Sequence, residues 1–257
     1  EMIDFEPIET FLNSREIYLI KFSRILNMYK EKFRREVQRE DIRNWEEQEF
    51  LTKIRKSYNF LKLNFRNLIE NFYRRTNFEV INFQFIPFVG LGVVSEWVDV
   101  YKNQICSFIP LESIKNVKSL IVLVYKTYAI GYILNINTEI FKLNFYNNFR
   151  NLLTYGFGNY IATICSNYNV LIPIWQSQRS IYKIWLKDLE KNLKYYSFKF
   201  LTEIEDSSFV QFQEWFLISR RGQYIGYKLF EYANLKSFLN LNIEIYKLKF
   251  YEFYEIL

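Results

Sequence analysis

Apolar residues between positions 15 and 75 recur at helical spacing. Tyr18, Phe22, Ile25, Tyr29 and Phe33 follow one another at intervals of three or four, and Phe50, Ile54, Tyr58, Leu61, Phe65, Leu68 and Phe72 keep the same rhythm. Residues three and four apart share one side of an α-helix, so each run predicts an amphipathic helix with a single apolar stripe. Neither Gly nor Pro occurs from residue 8 to residue 86, which removes the two strongest helix breakers from the span. Asn13 with Glu16 three residues on forms a candidate N-terminal cap pair. A turn between two antiparallel helices is expected in the polar stretch 39–49, with Phe22, Ile25, Tyr29 and Phe33 facing Ile54, Leu61, Phe65 and Leu68.

Beyond residue 76 the texture changes. Residues 83–94 are apolar but carry Pro87, Gly90 and Gly92, which predicts a buried loop or broken element. Residues 119–136 are rich in β-branched and aromatic side chains, 140–145 alternate apolar with polar, and 195–204 and 209–218 are similar; all four predict strands. Gly222 and Gly226 predict a turn and a following strand, while 242–256 fits either a strand or an amphipathic helix. The expected fold class is α+β: a long basic helical hairpin over 1–75, then an aromatic-rich, strand-containing mixed α/β domain over 76–257.

Residues 151–178 hold no charge, and 28 positions suffice to cross a bilayer. Asn159, Ser166, Asn167, Asn169 and Pro173 interrupt the stretch, and Gly156 and Gly158 loosen it, so a buried core is favoured over a span. The other apolar run, 119–136, carries Lys126 near its middle, where a charge is expensive in hydrocarbon. The chain opens on Glu1, Asp4, Glu6 and Glu9 in place of the basic start of a signal peptide, and none is expected.

The net charge of +6 is unevenly spread: residues 15–75 carry +7 and the remainder −1. Lys30, Lys32, Arg34, Arg35, Arg39 and Arg43 form one cluster, Lys53, Arg55 and Lys56 a second, and Arg74 and Arg75 a third. Arg220 and Arg221 precede Tyr224 and Tyr227 in an expected turn, a basic loop beside aromatics. Such groups suit RNA phosphates and stacked bases, Arg being the better bidentate phosphate partner. A solvated or protein-facing helix surface and an anionic membrane surface are the competing readings.

Catalytic and metal chemistry has little to stand on. The chain has no His, which excludes a Ser-His-Asp triad, a Cys-His dyad and any zinc site containing His. Cys106 and Cys165 are far apart in apolar stretches and are expected to be buried, reduced and free of metal. Gly90-Leu91-Gly92 and Gly156-Phe157-Gly158 do not continue to a dinucleotide motif and read as turns or close packing. No cofactor, catalytic residue or metal ligand is expected.

Phe (26) and Tyr (21) are abundant, whereas Gly (7) and Pro (4) are scarce. The enriched residues use AT-rich codons and the scarce ones GC-rich codons, so codon bias explains the aromatics more simply than selection for stacking does. In this respect the whole chain resembles proteins encoded in AT-rich mitochondrial DNA of the ciliate type. That resemblance implies a mitochondrial location and a non-catalytic structural subunit: an RNA-contacting ribosomal protein touching rRNA and neighbouring subunits, or an accessory subunit of a respiratory-chain or ATP-synthase complex, membrane-associated through 151–178. A virus- or plasmid-encoded structural protein shares the same composition.

Overall fold

The structure is a computed structural model that describes residues 2–34, 46–90, 96–114, 116–168, 179–233, 239 and 241–257, apart from the side chains of 179–182. The described residues are mostly helical with one small mixed sheet, an α+β arrangement. The chain forms two compact units, Glu1–Asn71 with Asn82–Leu123, and Phe72–Ile81 with Val124–Leu257.

In the first unit, three short helices, α1 (Glu6–Asn13), α2 (Arg15–Lys21) and α3 (Ser23–Phe33), precede the 29-residue α4 (Gln48–Thr76), whose last turn belongs to the second unit. Asn13 is not the cap expected of it but the last residue of α1. Ser14, in extended backbone, caps α2 by accepting a hydrogen bond from the Ile17 N–H at 3.4 Å. The first apolar run therefore lies on two short helices that part at Phe22. Its side chains pack toward the sheet: Tyr18 bonds both the N–H and the carbonyl of Val89, while Tyr29 and Phe33 lie 5.3 and 5.9 Å from the Trp97 ring. On α4 the buried row is Ile54, Leu61, Phe65 and Ile69, and Phe65 meets Phe85 at 4.8 Å. The turn expected between the arms falls largely on residues outside those described.

Residues 83–94, expected to be broken, contain the strand β1 (Phe83–Phe88); 91–95 lie outside the described residues. With β2 (Trp97–Tyr101) and β3 (Gln104–Pro110) it makes a sheet of order β1-β3-β2, parallel between β1 and β3 and antiparallel between β2 and β3. Pro87 is tolerated because β1 lies at an edge of this sheet. The β2–β3 turn places Lys102 and Asn103 at φ 51° and 61°, the left-handed pair that matches strand twist in a two-residue hairpin. Trp97 stacks on Phe108 at 4.5 Å and anchors the core of this unit.

The second unit corrects every strand expected beyond residue 119. Residues 119–136 lie in α5 (Val117–Ile136), which begins in the first unit, and 140–145 are mostly α6 (Thr138–Lys142). Residues 195–204 are largely α9 (Leu193–Thr202), which follows α7 (Asn148–Ser166) and α8 (Arg179–Lys191). Residues 209–218 are α10 (Phe209–Phe212) running into a π-helical turn, Gln213–Ile218. The expected turn and strand at Gly222 lie in α11 (Arg221–Tyr232), and the C-terminal segment is α12 (Ile243–Ile256). The cause is burial. Long stretches of α5 and α7 are covered on every side, so no polar face remains to reveal a helical period, and the apolar run imitates a strand. Asparagines cap several of these helices: Asn137, Asn147 and Asn242 each accept a backbone N–H three residues on.

Helices α7 and α11 cross at Gly156 and Gly226. A Cβ on Gly156 would sit 2.4 Å from the Gly226 carbonyl carbon, and one on Gly226 would sit 2.3 Å from the Leu152 oxygen. Only glycine allows this backbone approach. Of the uncharged stretch 151–178, residues up to Ser166 belong to α7, which Asn167 ends by turning left-handed; 169–178 lie outside the described residues.

Candidate nucleic-acid interface

The first unit presents a basic row along α4. Its buried stripe faces the core; Arg55, Lys62 and Arg66 share one exposed flank of the helix beside that stripe, and Lys56 is exposed about 100° further round, with Lys53 half-buried beyond it. From Arg55 to Arg66 the helix rises about 16 Å, enough to meet several phosphates. Lys62 donates to the Tyr58 hydroxyl at 2.8 Å, and that hydroxyl donates to Glu9 at 2.6 Å. The Tyr58 hydrogen bond, and less strongly Glu9 at 3.5 Å, raise the pKa of the Lys62 ammonium. Arg66 pairs with Glu70 at 3.0 Å, but both are so exposed that the pair is easily exchanged for a phosphate. Arg55 and Lys56 have no ion pair among the described residues. Lys62 and Arg66 were countable in the sequence but hidden in it, because only the depth of the stripe shows which cations share the open side.

The other expected contacts are dispersed. Arg34 is exposed and ends α3 in a left-handed conformation at φ 48°. Arg35, Arg39 and Arg43 lie outside the described residues. Arg74 and Arg75 are exposed on the part of α4 that belongs to the second unit. Arg75 donates to the Ile164 carbonyl at 3.3 Å and the Asn167 side chain at 3.0 Å, so it closes the C-terminus of α7, where a cation opposes the helix dipole. Arg220 and Arg221 are half-buried and turned inward. Arg220 donates to the Leu217 carbonyl at 3.3 Å, and the Arg221 guanidinium lies 4.2 Å over the Tyr196 ring. Tyr224, expected to flank a basic loop, is fully buried. The two arginines organise the passage from the π-turn into α11.

One polar cluster lies inside the second unit. Lys126 of α5 is 3% exposed; its ammonium donates to the Gln223 side-chain oxygen at 3.2 Å and lies 4.9 Å over the Tyr155 ring. The same oxygen accepts from Asn159 at 3.2 Å, and the Gln223 amide donates to the Phe216 carbonyl at 2.6 Å. That carbonyl belongs to the π-turn, whose widened ladder frees backbone groups for side-chain partners. The cluster joins α5, α7 and α11 and satisfies a buried charge; its signature in the sequence is one lysine within an apolar run.

Cys106 and Cys165 are free and buried. Burial pushes their thiols up to about 11 and about 12, where they are poor nucleophiles and poor metal ligands. Among the described residues no group of three His, Cys, Asp or Glu side chains gathers as a metal site. Comparison with known proteins gives no relative to argue from: no protein family, no curated protein and no solved structure matches the chain.

Proposed function

We propose that this chain is a non-enzymatic, RNA-contacting structural protein of a mitochondrial ribosome, of the AT-rich kind that its composition resembles. The observation that supports this most is the group of exposed cations on α4, Arg55, Lys62 and Arg66 on one flank and Lys56 beside them. We read α3 and α4 as the arms of a basic hairpin. A cation row of this kind binds phosphate by releasing counterions and needs no catalytic group. Neighbouring ribosomal subunits are the other partners in this reading.

A second reading, an accessory subunit of a membrane-bound respiratory or ATP-synthase complex, has one observation in its favour. Among the described residues, α5 is the one helix long and apolar enough to cross a membrane, with a mean hydropathy of 1.5. Against it, 78% of that window is buried within the protein, and Lys126 is engaged there with Gln223 and Tyr155. Gradient sedimentation of native particles followed by alkaline carbonate extraction separates the two. The ribosomal reading expects co-sedimentation with a subunit, a shift when EDTA removes magnesium, and release by carbonate. Retention in the carbonate pellet without a magnesium-dependent shift contradicts it.

A further inference from the structure

The outer face of α9 is a different kind of surface. Lys194, Tyr195, Phe198 and Lys199 are all exposed, Tyr195 at 63% and Phe198 at 55%, while Ser197 and Phe200 on the other side are fully buried. At 3.6 residues per turn the four exposed side chains fall within about 140° of the helix circumference. Lys191, at the end of α8, adds a further exposed cation, and Glu190 is the one exposed carboxylate on α8 and α9 among the described residues. Asp188 is occupied instead with Asn192 and Tyr196, at 2.8 and 2.7 Å. The aromatic surface continues onto α12: the Phe198 and Tyr254 rings lie 6.3 Å apart, and the Lys194 ammonium is 5.5 Å over the Tyr254 ring.

We propose that this face binds unpaired RNA, its rings stacking on exposed bases and its lysines holding the intervening phosphates. The sharing of one surface by charge and ring is what selects this ligand. A helix that lies on a membrane separates a continuous apolar face from its cations. Here Lys194 and Lys199 bracket Phe198 and Tyr195 within about 140° of the helix, and Lys194 lies over the Tyr254 ring, so cations and rings share one surface, an arrangement that meets a chain alternating bases with phosphates. The face commits to single strands because base faces are open to flat side chains only where the bases are unpaired. The inference rests on the RNA reading above but uses other residues, in the other unit.

The test measures binding of the full chain to a short oligouridine and to a blunt RNA duplex across a salt series. The double variant Tyr195→Ala/Phe198→Ala is expected to bind oligouridine about tenfold more weakly or worse, with duplex binding unchanged. Tyr195→Trp/Phe198→Trp keeps the affinity, which separates stacking from any change of fold. The triple variant Lys191→Gln/Lys194→Gln/Lys199→Gln lowers the salt slope for oligouridine by about 2. Unchanged binding by the double-alanine variant, an equal loss for duplex and single strand, or binding of the chain to phosphatidylserine vesicles but not to oligouridine overturns the proposal. Neutralising Arg55, Lys56 and Arg66 separately reports on the α4 row: loss of the α9 effect with α4 intact, or the reverse, shows which of the two readings has failed.

Discussion

The sharpest structural prediction concerns Gly156→Ala at the crossing of α7 and α11. The new methyl carbon would lie 2.4 Å from the Gly226 carbonyl carbon and 2.7 Å from its oxygen. Carbon atoms settle at about 3.5–4.0 Å, so the two helices must part by roughly 1 Å or more. Nothing at the contact can swing away, because the opposing atoms are backbone. Separation also loosens the ring pairs beside the crossing, Phe157 with Phe230 at 5.3 Å and Tyr155 with Phe216 at 5.8 Å. Overpacking costs about 1–3 kcal/mol, and a backbone-to-backbone clash belongs at the upper end, about 3 kcal/mol. That corresponds to a fall in Tm of about 6–12 °C. Thermal and urea unfolding followed by far-UV circular dichroism read the loss, and hydrogen exchange of α7 and α11 amides locates it. Gly226→Ala is expected to cost as much, and the double variant less than the sum, since one separation relieves both methyls. A Gly156→Ala protein that melts within about 1 °C of the parent refutes the close crossing.

Gln223→Leu removes the acceptor shared by Lys126 and Asn159 and the donor to the Phe216 carbonyl, and is expected to cost about 3 kcal/mol in urea unfolding; adding Lys126→Met recovers part of it, and a fully additive double variant contradicts the coupling. Cys106 and Cys165 resist iodoacetamide in the native protein at pH 8 and react once urea unfolds it, whereas rapid native labelling contradicts their burial. Because folding raises both thiols above their ordinary value of 9.0, to about 11 and about 12, their contribution is fully present below pH 9 and is lost as pH rises through those values, so stability falls on the alkaline side. Arg75→Ala opens the C-terminus of α7 and costs about 1 kcal/mol or less, with faster hydrogen exchange confined to its last turn; unchanged exchange there removes the capping role.

The sequence reveals most where an element has one wet side. On α4 the buried row follows the periodicity, and Gln48–Thr76 emerges as one helix because its polar face makes the period visible. Where both sides are covered the signal fails. Residues 119–136 are read as strand because Val, Ile and Tyr favour strands, yet they are helical because a buried helix of 20 residues satisfies its own backbone hydrogen bonds. The bias toward Ile, Phe and Tyr weakens β-propensity as a guide throughout this chain. Glycine misleads in the same way. Gly156 reads as a turn or close packing and Gly226 as part of a turn before a strand, although their work is to let two helices touch, which depends on a partner 70 positions away. For the candidate interface, the segregation of charge is plain from composition, but which cations stay open is not. Arg75, Arg220 and Arg221 are spent on internal contacts, while Lys62 and Arg66 stand in the exposed row.

The central claim, that the open side of α4 holds RNA phosphates, is tested most directly by the salt dependence of RNA binding. The parent chain and the variant Arg55→Gln/Lys56→Gln/Arg66→Gln are titrated against the same ribosomal RNA fragment from low to physiological salt. All three residues are exposed, so the fold and the melting temperature stay unchanged. If each cation meets one phosphate, the slope of log affinity against log salt becomes shallower by about 3, and binding weakens at every salt concentration. A variant with the parent's slope and affinity contradicts the claim.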